Sequence, residues 1–129
     1  MSVTSFIHLE ETENSDFDME KFNRDIEKKY PGTRIEFSNS LSYDICWENY
    51  SDQYQFGLRI DRKRCTFAID YFNSNNRIYD YARFIAWLRM FFKKEKEVVL
   101  CDENYEDQRM LSSNISVEVI EKWLQSLGI

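Results

Sequence analysis

The strongest constraint on the fold is a period-two alternation of apolar and polar side chains between residues 41 and 71. The alternation occurs in three successive runs, and a period of two places neighbouring side chains on opposite faces of a strand. Short polar links at Asn39-Ser40 and Arg62-Lys63 can close hairpins. We therefore expect an antiparallel meander with one apolar and one polar face. The apolar positions of the first run are Leu41, Tyr43, Ile45 and Trp47.

Helical spacing is present on both sides of the meander. Residues 18–30 carry one apolar stripe and end at Pro31-Gly32, residues 78–94 are apolar nearly all round, and a last helix follows Ser116. Further strands are predicted over 3–9, 34–38 and 97–102. At 129 residues the chain has the size of one domain. The prediction is a single α+β domain over 1–129, with an antiparallel β-meander of about four to six strands packed against two or three helices in a single pair of layers.

The residues that most often build active sites are scarce or badly spaced. His8 is the only histidine, and the chain has no Gly-x-Ser-x-Gly motif. Three glycines form no phosphate-binding loop, and the three cysteines form no Cys-x-x-Cys pair for zinc. We expect a non-enzymatic protein without a cofactor. The cysteines are Cys46, Cys65 and Cys101.

The number of cysteines, the first twenty residues and the length of the apolar runs predict the compartment and the relation to membranes. An odd number of cysteines, in a chain that does not need disulfides, predicts free thiols in a reducing compartment. The first twenty residues lack the basic and apolar regions of a secretory signal. No run approaches the ~18 apolar residues of a membrane span. We expect a cytoplasmic protein that does not contact a membrane.

One set of residues allows an enzymatic alternative. Asp61-Arg62-Lys63 has the Asp-x-Lys spacing of PD-(D/E)xK nucleases, with Asp44 on an earlier strand and Glu20 on the preceding helix. In such enzymes two carboxylates hold a magnesium ion and the lysine positions or activates water. The order of elements also resembles the core of that fold. The alternative is therefore a metal-dependent nuclease that uses Asp44, Asp61 and Lys63.

Acidic runs point instead to binding of a protein. Net charge is −6, residues 1–20 hold six carboxylates and no Lys or Arg, and residues 102–107 hold four more around a tyrosine. Carboxylates with tyrosine suit an interface that meets cationic residues. An acidic chain should not attract nucleic acid, although basic residues at 59–64 and 77–96 could polarise the molecule. The predicted contact residues are Asp102, Glu103, Tyr105, Glu106, Asp107, Tyr50, Asp52 and Tyr54.

A helix followed by a strand and an acidic loop gives the chain a resemblance to a protein class. Residues 81–88 (YARFIAWL) and 97–103 (EVVLCDE) carry this arrangement. It resembles the immunity proteins of bacterial toxin–immunity systems, including those paired with contact-dependent growth-inhibition toxins. The resemblance implies a cytoplasmic antidote that binds a cognate toxin and blocks its active site. Such a toxin is often a nuclease with a basic active-site surface. We expect the free chain to be a monomer or a weak dimer.

Three functions therefore follow from the sequence. The leading one is an immunity or inhibitor protein that uses the acidic residues, and the second is the nuclease. The third is a structural or adaptor subunit of an assembly that uses the apolar surface of the helix over 78–94.

Overall fold

A computed structural model describes residues 4–129. It has one seven-stranded antiparallel sheet with the strand order β2-β3-β4-β5-β1-β6-β7, and three helices. The elements are β1 (Ser5–Leu9), α1 (Met19–Lys29), β2 (Arg34–Phe37), β3 (Tyr43–Tyr50), β4 (Tyr54–Asp61), β5 (Thr66–Ser74), α2 (Arg77–Arg89), β6 (Val98–Asp102), β7 (Gln108–Met110) and α3 (Val117–Ser126). The predicted α+β class and the meander, β2 to β5, are confirmed. Seven strands exceed the expected four to six because β7 was not predicted.

The three helices pack on one face of the sheet. Phe22 of α1 meets Trp47 of β3 and Phe91 after α2, with ring centroids 4.8 and 4.7 Å apart. Ile120 and Leu124 of α3 belong to the same buried cluster. These contacts form because the apolar set of each alternating strand faces the amphipathic helices. This helix-covered face contains the main core.

The opposite face, which we call the open face, has no helix on it in the described part of the chain. Phe6, Ala68 and Cys101 are cross-strand neighbours on β1, β5 and β6, and they form a small buried cluster there. Tyr43 packs against this cluster, although the alternation placed it with Ile45. A register shift between these two residues turns Tyr43 onto the open face. The assignment of Tyr43 to the helix-covered face was therefore wrong.

Capping side chains begin two of the helices, α1 and α3, near the positions that the sequence predicts. The side chain of Asp18 accepts a hydrogen bond from the Lys21 N–H and begins α1. Ser116 accepts from the Val119 N–H in the same way at the start of α3. In both helices the cap satisfies a backbone donor that has no partner within the helix.

Helix α2 ends at Arg89, five residues before the predicted end. The Arg89 side chain is 1% exposed and donates five hydrogen bonds to backbone carbonyl oxygens. One acceptor is Leu111, ahead of α3, at 2.7 Å, and the other four lie in the segment 92–96. These carbonyls point at the guanidinium and not along a helix axis.

Among residues 4–129 no helix is both long and apolar enough to cross a membrane.

Candidate functional site

The predicted contact residues of 102–107 form the loop of the β6–β7 hairpin, here called the acidic hairpin loop. Oδ1 of Asp102 accepts hydrogen bonds from the Glu106 and Asp107 N–H groups at 2.8 and 3.1 Å. Oδ1 of Asp107 accepts from the indole N–H of Trp123 on α3 at 3.1 Å. Two carboxylates therefore hold the loop in place. The other two, Glu103 and Glu106, are exposed and make no ion pair among the described residues.

Tyr105 connects this loop to the open face. Its φ of 59° is in the left-handed region, which turns the chain back over the sheet. Its ring stacks on Phe6, with centroids 4.6 Å apart and an interplanar angle of 18°. Partial burial raises the pKa of Tyr105 to about 12, so its hydroxyl stays protonated at neutral pH. The residue is nevertheless 45% exposed and remains available to a partner.

An open depression of about 370 Å³ lies beside Tyr105 on the open face. Its wall opposite the acidic hairpin loop comes from the start of β3 and from the β4–β5 turn. The mixture of aromatic, aliphatic and charged side chains suits contact with a protein surface. The lining residues are Leu41, Ser42, Tyr43, Asp61, Arg62, Lys63, Thr66 and Tyr105.

The second predicted group, Tyr50, Asp52 and Tyr54, lies on the β3–β4 hairpin. In the sheet this hairpin is separated from β6 and β7 by β5 and β1. Tyr50 is 64% exposed and Asp52 is exposed, whereas Tyr54 packs edge-on against the Tyr30 ring at 5.0 Å. The structure thus places the two predicted groups on different hairpins. Tyr54 belongs partly to the core.

The residues of the nuclease alternative are engaged within the fold. Asp44 accepts two hydrogen bonds from the Arg64 guanidinium, and these hold the pKa of Asp44 below its usual value. Oδ1 of Asp61 accepts from the Cys65 and Thr66 N–H groups at 2.8 and 3.0 Å, which closes the β4–β5 turn. Lys63 is exposed in that turn. In residues 4–129 no cluster of three or more His, Cys, Asp or Glu side chains is placed to hold a metal ion.

His8 lies in a line of hydrogen bonds on the open face. Its Nδ1 is 2.7 Å from the Thr66 hydroxyl, and its Nε2 is 3.0 Å from Glu10, whose side chain is 91% exposed. The order hydroxyl, imidazole, carboxylate is that of a nucleophile with its base. However, the N–H groups of Cys65 and Thr66 already donate to Asp61. They therefore cannot stabilise the oxyanion that would form on a substrate carbonyl attacked by this hydroxyl. We interpret the pair as a cross-strand contact, since His8 and Thr66 are directly opposite.

The three cysteines are free thiols. Burial raises the pKa of each thiol, and it raises that of Cys101 to about 11. A raised pKa disfavours the thiolate, which is the nucleophilic and metal-binding form.

Many of the basic residues at 59–64 and 77–96 are paired within the fold. Arg59 bonds Asp70 at 2.7 Å and stacks over the Tyr43 ring at 4.7 Å, and Arg64 bonds Asp44. On the helix side Arg89 is buried, and Lys96 bonds Glu11 at 3.0 Å. The predicted basic stretches are thus partly neutralised by the acidic residues around them.

Sequence reasoning missed Phe6 as part of the open face, although Phe6 alternates with the buried Ile7 on β1. The predicted polar face of β4, which carries Arg59, is part of the open face. Comparisons with known protein families, curated proteins and solved structures gave no match to this chain. The residues that bear on function are therefore those of the open face and of the acidic hairpin loop.

Proposed function

We propose that the protein is a non-enzymatic inhibitor of the toxin–immunity type, which binds a basic surface of a partner protein through the acidic hairpin loop. The observation that carries this proposal is that the loop is held in one shape by its own carboxylates. Asp102 and Asp107 form hydrogen bonds within the fold, and this leaves Glu103 and Glu106 exposed. A loop that is ordered before binding loses less conformational entropy on association.

The charge of the acidic hairpin loop indicates the class of partner that it would bind. The chain carries a net charge of −6, and the two exposed glutamates project from a loop that contains no Lys or Arg. Complementary charge accelerates association and discriminates against partners of like charge. A nuclease-type toxin fits this surface, because its substrate-binding cleft must be cationic. The glutamate carboxylates would occupy positions that otherwise hold substrate phosphates.

Tyr105 supplies an aromatic contact at the centre of the proposed surface. Its ring is fixed against Phe6 but remains 45% exposed. Interface residues that contribute most to affinity are often tyrosines beside an apolar pocket. The depression next to Tyr105 can accept a partner side chain, and Tyr43 and the exposed Leu41 form part of its wall.

The test begins with capture of the partner from native cells on the tagged 129-residue chain. The identified protein is then expressed in a host cell, alone and together with the chain. We expect the partner to arrest growth alone and co-expression to restore growth. The variant Glu103→Lys/Glu106→Lys should lose protection, because two attractive charges become repulsive.

A matched control keeps the change of net charge identical. Glu20→Lys/Glu27→Lys alters two exposed glutamates on α1, which packs against β3 and lies away from the acidic hairpin loop. This control should protect as well as the unmodified chain. If both variants protect fully, the acidic hairpin loop is not the inhibitory surface. If the captured partner is not toxic, the immunity function is wrong.

A further inference from the structure

Strand β2 forms an open edge of the sheet and exposes two large apolar side chains on one of its faces. Among residues 4–129 it pairs only with β3, and all four of its residues are exposed. Phe37 is 74% exposed and Ile35 is 38% exposed. Edge strands of monomeric proteins are usually protected by charge, proline, a bulge or a covering segment. In β2 the two apolar side chains lie beside backbone groups that have no neighbouring strand.

The direction of the free backbone groups follows from the β2–β3 register. The Ser38 N–H donates to the Asp44 carbonyl at 2.8 Å, in register with the pairs Arg34–Glu48 and Glu36–Cys46. In an antiparallel pair, hydrogen-bonded positions alternate along each strand. The backbone groups of Arg34 and Glu36 therefore point toward β3. Those of Ile35 and Phe37 point outward from the sheet.

We propose that β2 pairs antiparallel with β2 of a second copy of this chain, about a two-fold axis at Ile35. The Ile35 N–H donates to the carbonyl of Ile35 in the second copy, and the reverse bond forms by symmetry. An axis perpendicular to the sheet keeps the helix-covered faces of both copies on the same side. The two sheets then form one continuous sheet, an isologous arrangement of the commonest kind.

Charge selects this register. In this register Ile35 lies opposite Ile35 of the second copy. Arg34 of each copy then lies opposite Glu36 of the other copy, which gives two such pairs. Both residues lie on the open face, because they pair with Glu48 and Cys46, which alternate with the buried Trp47. Neither makes an ion pair within the described chain. An axis at Glu36 would instead place two carboxylates directly opposite, which is destabilising.

The apolar side chains complete the interface on the other face. Ile35 meets Ile35 of the second copy, and Phe37 lies diagonally across from it, a distance that an aromatic side chain spans. The dimer thus covers exposed apolar surface that the monomer leaves in water. It uses the edge of the sheet opposite to β7, so both acidic hairpin loops stay accessible. This inference is therefore independent of the proposed function.

The first test is sedimentation of the 129-residue chain over a wide range of concentrations. We expect a reversible monomer–dimer equilibrium. Ile35→Pro should give a monomer at every concentration, because it removes the outward N–H and leaves the Arg34 and Glu36 bonds to β3 intact. Circular dichroism should show an unchanged fold. A wild-type chain that stays monomeric at its solubility limit, or a dimer that survives Ile35→Pro, overturns the proposal.

The second test uses charge and does not depend on tolerance of proline. Arg34→Glu and Glu36→Arg should each weaken self-association by about tenfold, and the double variant should restore it. Lys122→Glu on α3 makes the same change in net charge as Arg34→Glu and should have little effect. If the double variant is no tighter than the single ones, the register is wrong and the proposal fails.

Discussion

The two faces of the sheet are built on different principles. Under the helices, packing is apolar and aromatic, and Phe22, Trp47 and Phe84 are almost fully buried. On the open face the cluster around Phe6 is small, and ion pairs and one ring stack surround it. Burial of apolar area is the main stabilising force in folding, whereas exposed polar contacts contribute little. We conclude that the helix-covered face stabilises the fold and leaves the open face available for binding.

The largest predicted loss of stability is at Arg89, and it tests the contribution of the helix-covered side of the sheet. Arg89→Met should lower the free energy of unfolding by about 3 kcal/mol or more, because it leaves several buried carbonyls without a donor. Urea unfolding measures this change. Arg83→Met, an exposed position on the same helix, is the control and should change stability by about 0.5 kcal/mol or less. Equal effects of the two variants would show that the Arg89 hydrogen bonds do not hold the 92–96 segment to the core.

A smaller effect is expected on the open face. Tyr105→Ala should lower the free energy of unfolding by about 1 kcal/mol, since it removes the ring that stacks on Phe6. Tyr50→Ala on the β3–β4 hairpin serves as control, because Tyr50 is 64% exposed and stacks on no ring in the described chain. Urea unfolding of both variants measures the two changes in the free energy of unfolding. A loss at Tyr105 as large as that at Arg89 would contradict the division between the two faces.

The smallest effect is a dependence on pH. Because Arg64 holds the pKa of Asp44 below its unfolded value, this carboxyl stabilises the fold above about pH 4. Its contribution is lost as the pH falls through the folded pKa. Asp44→Asn should therefore cost about 1 kcal/mol at neutral pH and almost nothing in strong acid. Unfolding measured over that range tests this, and a cost of Asp44→Asn that stays the same at every pH would contradict it.

Local signals predicted most of the fold. Asp18 and Pro31 bound α1 by capping and by chain termination, and Ser116 begins α3 in the same way. Alternation located β3 to β5 because one of their faces is buried. These features depend on residues that are close in sequence, and a single sequence contains that information.

The errors have more than one cause, and contact between distant residues is one of them. Helix α2 ends early because Arg89 bonds to Leu111, 22 residues away. Strand β7 is three residues long, and its hairpin is closed by the Asp102 carboxylate and by the backbone turn at Tyr105. The acidic composition of 102–107 was evident from the sequence. The hydrogen bonds that two of its carboxylates form within the fold were not evident, because one of them joins Asp107 to Trp123 on α3.

The most direct measurement of the central claim is the rate of association with the captured partner as a function of salt concentration. For the unmodified chain we predict a fast rate that falls steeply as salt rises, because the charges of Glu103 and Glu106 are screened. For Glu103→Lys/Glu106→Lys we predict a slow rate with a much flatter salt dependence. The control Glu20→Lys/Glu27→Lys should retain the steep dependence. If the Glu103→Lys/Glu106→Lys variant has the same rate and salt dependence as the unmodified chain, the acidic hairpin loop does not bind the partner and the account is contradicted.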